Sequence, residues 1–226
     1  KFIGGRFSVL SEVGIVPAYF MGINIVKLRK NLSKFLRGKD KNYLKDSSIK
    51  LACLLKKRRF NNLVFLNYAP ELNKFLYWCQ QLIAESLGKK GKGFFPVVSS
   101  VPKDHHSLLQ LYLDGPKDKL FCIFHHDKKS KNKILVKNLS KKIMFLNNKS
   151  LSNIKDAQKN SLIKTLIKKD IPCREFSIRE LNEETLGELF SYFIFETIFV
   201  AKLINVNPYN QPAVEQVKNY TKKLLN

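Results

Sequence analysis

The chain has 226 residues, of which 44% are hydrophobic and 12% aromatic, so it can form a substantial core and is not a disordered polymer. Its net charge of +23, from 41 basic and 18 acidic residues, would by itself suit a nucleic-acid binder. Most basic residues are lysines dispersed along the chain, without a zinc-finger spacing or an arginine-aromatic motif. We therefore expect no nucleic-acid partner, while a small phosphorylated substrate is compatible with the charge.

Cysteine usage and hydropathy indicate the compartment. Cys53, Cys79, Cys122 and Cys173 are widely spaced, as is typical of free thiols in an intracellular protein. The longest apolar run, LFSYFIFETIFVAKLI, has polar interruptions, and no signal peptide is visible. We therefore expect a cytoplasmic protein with no membrane partner. The chain opens on Lys1 instead of methionine, which suggests a truncated or processed N-terminus.

The N-terminal third is predicted to be mainly helical. Over residues 1–20, the sequence predicts a loop followed by a buried helix that ends at Pro17. Apolar spacing predicts one helix over 24–37 and another over 47–60. A continuous apolar run over 62–69 then predicts a buried strand.

Strands and helices alternate through the rest of the chain. An amphipathic helix is predicted from Glu71 to a C-cap at Gly88. A polar loop is expected around DHHS, and either 133–138 or 141–147 forms an edge strand or an excursion. The further strands are expected over 93–100, 118–126 and 173–178, and the further helices over 151–169, 182–204 and 212–225. This alternation predicts an α/β fold with a mostly parallel sheet and helices on both faces.

Glu85 is the first candidate for chemistry. It lies in the last turn of its predicted helix, where the helix dipole disfavours a carboxylate. Lys89, Lys90 and Lys92 follow it, and Gln81 shares its face one turn earlier. Two interpretations stay open: a surface glutamate paired with Lys89, or a general base that nearby cations keep ionised.

The histidines and the N-terminal glycines are weaker candidates. The pair in DHHS has no further ligand at metal-binding spacing, so no metal site is predicted. His125 and His126 end a strand and suit an edge position, although any of the four histidines could act as a proton shuttle. In GGRFS, paired glycines allow close backbone approach to a ligand, and Arg6 suits an anion.

Four segments, taken in order, resemble the phosphoglucose isomerase family. They are GGRFSVLSEVGIVP, QQLIAESLGKKGKG, DHHSLLQLYLDGP and NPYNQPAVEQVK, and they span residues 4–218. The resemblance implies a three-layer α/β sandwich of sugar-isomerase (SIS) type. It also implies interconversion of glucose 6-phosphate and fructose 6-phosphate through an enediol intermediate, with no metal or organic cofactor.

The resemblance further implies a site. Glu85 would be the base, and Arg6 would stabilise the enediolate. Lys218 and His106 would assist ring opening, with His106 supplied by the neighbouring subunit of a homodimer, while His105 inherits no role. The implied catalytic residues are Glu85, His106, Lys218 and Arg6, and the implied substrate-binding residues are Gly5, Gln81 and Gln211.

One departure from the family concerns the phosphate. The family holds it with a serine- and threonine-rich loop upstream of the Gly-Gly-Arg segment, and this chain begins just before that segment. We therefore expect residues 1–20 to be the tail of a first SIS domain that is otherwise missing, and 21–226 to be a second SIS-like domain. The chain is then the C-terminal portion of an isomerase, feebly active alone. The alternative is a non-catalytic sugar-phosphate-binding or dimerisation module.

Overall fold

The computed structural model describes residues 3–135 and 141–226, and the chain divides into two compact units. The first unit comprises Lys1–Asn61, Tyr77–Pro96 and Asn182–Asn226. The second comprises Asn62–Leu76 and Val97–Leu181. None of the helices in these described ranges is both long enough and apolar enough to cross a lipid bilayer.

Nine α-helices and four strands occur among the described residues. The helices are α1 (Glu12–Phe20), α2 (Ile25–Arg29), α3 (Gly38–Lys56), α4 (Asn73–Leu87), α5 (Lys103–Ser107), α6 (Leu109–Asp114), α7 (Leu151–Lys168), α8 (Glu183–Leu203) and α9 (Pro212–Leu225). The strands are β1 (Asn62–Asn67), β2 (Phe95–Ser100), β3 (Lys119–His126) and β4 (Cys173–Ile178). Short 3-10 helices cover Gly5–Leu10, Lys34–Leu36, Pro70–Leu72 and Lys141–Leu146.

The four strands form a parallel sheet in the order β2-β1-β3-β4. β1 and β3 are its central strands, and almost all of their residues are buried, as expected where both faces of a parallel sheet are covered. β1 leads through α4 to the β2 edge, whereas β3 leads through α7 to the β4 edge. The connections that follow β1 and β3 therefore run toward opposite edges of the sheet.

Helices cover both faces of this sheet. On one face Ile123 joins Leu162 and Leu166 of α7 in a buried cluster. On the other, Phe124 contacts Phe75 in the first turn of α4, with ring centroids 6.4 Å apart. Neighbouring residues of a strand point to opposite faces, so β3 contributes to both layers. The predicted α/β class with a parallel sheet and helices on both faces is confirmed.

In the first unit, α8 packs against α2 and α3. Gly187 of α8 lies so close to α2 that a Cβ atom at this position would be 1.9 Å from the carbonyl oxygen of Leu28. The packing therefore requires glycine here. On the other side of the helix, the buried carboxylate of Glu196 accepts hydrogen bonds from Ser47 Oγ and Tyr192 Oη, at 2.6 and 2.7 Å.

Two N-terminal predictions are wrong. α1 is not a buried helix, because none of its residues is buried, and Pro17 lies inside it instead of closing it. A proline removes only one backbone donor, and the helix continues for three residues beyond it. The helix predicted over 24–37 ends at Arg29, since Asn31 leaves the helical pattern and donates its side-chain amide to Glu184 and Glu188 of α8.

Two predictions in the second unit also differ from the structure. The polar loop around DHHS is helical: it forms α5, and Asp104 accepts a hydrogen bond from the backbone N–H of Ser100 at 2.8 Å. Residues 141–147 contain a 3-10 helix, so the edge-strand alternative is wrong there, while the alternative of an excursion is not contradicted. Of the alternative strand at 133–138, residues 136–138 lie outside the described residues.

Candidate active site

The end of α4 places the candidate base. α4 buries a stripe that includes Cys79, Leu82 and Leu87, and these contacts fix the rotation of the helix about its axis. Glu85 lies in the last turn, away from that stripe, with its side chain 29% exposed. Gly88 directly follows the helix, and this position requires glycine, because a Cβ atom there would lie 2.6 Å from the carbonyl oxygen of Ala84.

Arg6 orients the carboxylate of Glu85. It belongs to the 3-10 helix Gly5–Leu10 and is only 3% exposed. Its Nη1 donates to Glu85 Oε2 at 3.0 Å and to Gln211 Oε1 at 3.1 Å, and its Nε donates to Ser86 Oγ at 2.9 Å. Arg6 therefore joins the end of α4 to the start of α9.

The rest of the guanidinium holds the loop before α9. Nη2 donates to the carbonyl oxygens of Pro208 and Asn210, at 2.6 and 3.2 Å. Together with the bonds from Nε and Nη1, this occupies all five N–H donors of Arg6. A planar guanidinium can serve five acceptors in one plane, which an ammonium group cannot.

Gln81 supplies the second contact to the base. Its Nε2 donates to Glu85 Oε1 at 3.0 Å, one helical turn away. Each carboxylate oxygen thus accepts one N–H, from Gln81 on one side and Arg6 on the other. The carboxylate is fixed in orientation while part of it remains open to solvent.

The lysines after α4 do not pair with Glu85, so that interpretation is wrong. Lys89 Nζ donates to the carbonyl oxygens of Ser86 and Asn207, at 3.0 and 2.7 Å. Lys92 Nζ donates to the carbonyl oxygen of Ile204 at the end of α8, at 2.8 Å. Carbonyl groups at helix ends lack intrahelical donors, and these two lysines supply them.

The charges of the site nevertheless affect the pKa of Lys89. Burial lowers the pKa of Lys89, the positive charge of Arg6 lowers it further, and the carboxylate of Glu85 acts in the opposite direction. The cation that contacts Glu85 directly is Arg6.

A cleft of about 570 Å³ opens beside Glu85, between the end of α4 and the start of α9. Glu85, Gln211 and Val214 contribute to its wall. Lys218 lies four residues after Val214 on α9, and residues at this spacing are neighbours on a helix surface. Its side chain is 57% exposed and donates to Glu215 at 2.8 Å, a surface contact that is easily exchanged.

The remaining implied site residues, Gly5 and His106, lie at the surface. Gly5 is exposed, and a Cβ atom there would meet nothing within 4 Å. His106 belongs to α5 in the second unit and is exposed. Its neighbour His105 instead contacts Tyr68, with Nε2 and Oη 2.8 Å apart, and burial lowers the pKa of His105 while Asp104 raises it.

Sequence reasoning missed two supports of Arg6. Ser86 is fully buried and accepts from Nε, but nothing in the sequence distinguishes it from any other serine. Trp78 donates its indole N–H to the carbonyl oxygen of Arg6 at 3.0 Å, and its ring packs edge-on against Phe190 with centroids 4.8 Å apart. The position of Trp78 one turn before Gln81 was the available signal.

Curated relatives match almost the whole chain. A glucose-6-phosphate isomerase of Methanocaldococcus jannaschii is 34% identical in an alignment of 235 positions that covers 99% of this chain and 56% of the relative. That of Mycoplasmopsis synoviae is 32% identical in an alignment of 226 positions that covers 96% of this chain and 52% of the relative. Over nearly its whole length, the chain is similar to glucose-6-phosphate isomerases. It spans about half the length of the curated relatives that it matches.

Solved structures share the fold of this chain. A hypothetical protein from Thermus thermophilus superposes with a TM-score of 0.83 at 28% identity, over 98% of this chain and 55% of that one. A glucose-6-phosphate isomerase from Chlamydia trachomatis gives 0.77 at 17% identity, over 98% of this chain and 47% of the other, which supports the fold alone. No family model matches the chain. The resemblance inferred from four segments is confirmed.

Proposed function

We propose that this chain carries the base-bearing part of a glucose-6-phosphate isomerase. The observation that carries the proposal is the carboxylate of Glu85, which Arg6 and Gln81 hold at the wall of a 570 Å³ cleft. Clefts of this size accommodate small molecules. A carboxylate with fixed orientation and partial exposure suits proton abstraction from a bound sugar.

In the proposed reaction, Glu85 takes the proton from carbon 2 of the open-chain aldose. The electron pair of that C–H bond forms the double bond between carbons 1 and 2 while the carbonyl pair moves onto oxygen 1, which gives an enediolate. The hydroxyl proton passes from oxygen 2 to oxygen 1, and the same carboxyl group returns its proton to carbon 1 to give the ketose. Each oxygen of Glu85 accepts only one hydrogen bond from Arg6 or Gln81, and an ionised carboxylate offers about four lone-pair sites. Lone pairs therefore remain to accept the proton.

Arg6 would orient Glu85 and would also stabilise the enediolate. Its five N–H donors all have acceptors in the structure. A substrate oxygen must therefore replace one of the present acceptors before it can contact the guanidinium. Gln211 is the natural one to leave, since it also contributes to the cleft wall. Exchange of Gln211 Oε1 for an enediolate oxygen would place positive charge where negative charge develops.

Ring opening and phosphate binding require further groups. We assign ring opening to Lys218, one turn beyond the cleft wall on α9, and to His106 of a second copy of the chain. His106 is exposed on α5, as a residue that acts in a partner's site must be. The backbone of Gly5 would contact the substrate. A first SIS domain would hold the phosphate: residues 1–20 would be the tail of that domain, and residues 21–226 would be the second, SIS-like domain.

The test joins this chain to the part of the Methanocaldococcus jannaschii relative that it does not cover, and follows glucose 6-phosphate formation from fructose 6-phosphate in a coupled assay. The change is Glu85→Gln, which keeps the shape and the acceptor for Arg6, needs the Gln81 amide to rotate so that its oxygen faces the new NH2 group, and cannot accept a proton. We expect the turnover rate to fall by ~10²–10⁴-fold and the Kd for fructose 6-phosphate to stay within about twofold, because the amide removes an interaction used only in the transition state.

Two outcomes would contradict the proposal. Turnover that survives the Glu85→Gln change would remove Glu85 from the mechanism. A folded fusion that binds fructose 6-phosphate but does not isomerise it, with Glu85 intact, would favour the non-catalytic sugar-phosphate-binding module instead. Lys30→Ala is the matched control, because Lys30 forms an exposed ion pair with Glu184 away from the cleft residues.

A further inference from the structure

The second unit contains a crevice at the carboxyl edge of its own sheet. β1 and β3 are adjacent, and their connections run to opposite edges of the sheet. In open α/β sheets, the loops that follow two such strands separate and leave a crevice, which is where ligands bind. The segment Pro70–Leu72 follows β1, and the segment that starts at Asp127 follows β3.

A cavity of about 310 Å³ occupies this position. Its wall includes Glu71 from the loop after β1, His126 at the end of β3, and residues from the start of α7. All of these residues belong to the second unit. The cavity is therefore separate from the Glu85 cleft, whose wall comes from the first unit.

The wall of this crevice is strongly cationic. Lys128, Lys129 and Lys155 contribute to it, together with Ser130 and with Ser152, whose Oγ accepts the backbone N–H of Ser130 at 3.1 Å. Ammonium and hydroxyl groups are the donors that proteins use for phosphate oxygens. The lysine excess of the chain is dispersed in sequence, but here lysines from a loop and from a helix converge on one cavity.

The N-terminus of α7 adds to the positive potential. Ser150 caps this 18-residue helix by accepting the backbone N–H of Asn153 at 3.1 Å. The first backbone N–H groups of a helix, here those of Leu151 and Ser152, have no intrahelical acceptor. Both residues contribute to the crevice wall. An anion there would meet the positive end of the helix dipole.

Acidic groups do little to neutralise the crevice. Glu71 is the one carboxylate among the described residues of its wall, and its Oε1 lies 3.9 Å from Lys128 Nζ. Asp127 and Asp156 are not part of the wall, and they flank His125 with oxygens 3.0 and 2.7 Å from its two ring nitrogens. Three lysines thus face one carboxylate.

His126 brings an unsatisfied nitrogen to the crevice. Its Nδ1 is buried and has no hydrogen-bond partner among the described residues, and Glu71 Oε1 is 3.9 Å away, beyond hydrogen-bond distance. Buried polar atoms are nearly always satisfied by protein or by ordered water, so this nitrogen can bind a molecule that enters the crevice. The side chain is only 13% exposed and contributes to the crevice wall.

We propose that this crevice binds a small phosphate-bearing anion. Its volume is little more than half that of the Glu85 cleft, so it suits inorganic phosphate or the phosphate end of a small monoester. The ligand's oxygens would contact Lys128, Lys129 and Lys155 and the first turn of α7. This site does not depend on the proposed isomerase activity, and it is not the cleft in which the sugar would react.

The test is a titration of the chain with inorganic phosphate at constant ionic strength, followed by backbone amide NMR shifts. We expect saturable shifts at Leu151 and Ser152, and none of comparable size in a titration with chloride. Lys155→Glu reverses one charge of the site, and an acidic residue near a helix N-terminus favours the helix, so the fold is retained. We expect it to weaken the apparent Kd at least tenfold.

Lys164→Glu is the matched control, since Lys164 lies further along α7, is exposed, and is not part of the crevice wall. It changes the net charge as much as Lys155→Glu but leaves the crevice intact, so it should change the apparent Kd by less than about twofold. A titration with glucose 6-phosphate distinguishes a preference for an ester from a preference for the free ion. Equal shifts with chloride, or an unchanged Kd in Lys155→Glu, would overturn the proposal.

Discussion

Replacement of Arg6 by lysine separates the charge of this residue from its geometry. The guanidinium serves five acceptors, among them Glu85, Ser86 and Gln211, whereas a lysine ammonium has three donors at one point. At least two hydrogen bonds are therefore lost in a site where Arg6 is 3% exposed. At roughly 1–1.5 kcal/mol for each, Arg6→Lys should reduce the free energy of unfolding by about 2–3 kcal/mol.

Urea unfolding followed by the fluorescence of Trp78 measures this change. Trp78 is the only tryptophan in the chain and contacts the carbonyl oxygen of Arg6, so its signal reports on the first unit. Lys30→Ala is the control: Lys30 is 62% exposed, and the urea midpoint should not move, because exposed ion pairs contribute little. A loss below ~0.5 kcal/mol in Arg6→Lys would show that charge alone, and not the five-acceptor geometry, stabilises the site.

Three further outcomes are expected. Gly187→Ala should destabilise the first unit by about 1–3 kcal/mol or prevent its folding, because the new Cβ would overlap the carbonyl of Leu28. Urea unfolding measures this loss, and an unchanged urea midpoint would contradict the packing of α2 on α8. Burial raises the pKa of Tyr68, so the unfolded state loses this proton first and stability should fall as the pH rises above the ordinary tyrosine value of about 10. Thermal unfolding at increasing pH should show a smaller fall in Tyr68→Phe, and an identical fall would exclude Tyr68 as its source. In the fusion used above, dimers of mixed Glu85→Gln and His106→Ala subunits should regain activity if His106 acts across the interface; confirmed mixed dimers without activity would place both groups in one chain.

Sheet and core were predictable because their signals are local. The apolar runs at β1 and β3 are typical of central strands. In α4, α7 and α8, apolar residues recur at helical spacing over four or more turns. Where a tertiary contact decides the structure, prediction failed. Asn31 ends α2 by hydrogen bonding to α8, a partner more than 150 residues away in sequence, and no local pattern shows this.

For the candidate site, local spacing found part of the cluster and family resemblance the rest. Gln81 and Glu85 share a helix face by their spacing, and the structure joins them. Pairing with Lys89 was one of two interpretations of Glu85 because Lys89 is near in sequence, but Arg6 forms the ion pair from 79 residues away. Ser86 could not be predicted, since its role depends on where the guanidinium lies.

The exposure of α9 affects how well the site is ordered. None of the residues of this helix is buried, and its apolar side chains, such as Val217 and Leu224, are 65% and 87% exposed. A helix of 14 residues without tertiary burial is marginal in water, so the amides of α9 should exchange with deuterium far faster than those of α8. Lys218 is carried by this helix. A surface that covers Val217 and Leu224 would therefore raise the helicity of α9, and with it the fraction of time that Lys218 spends beside the cleft.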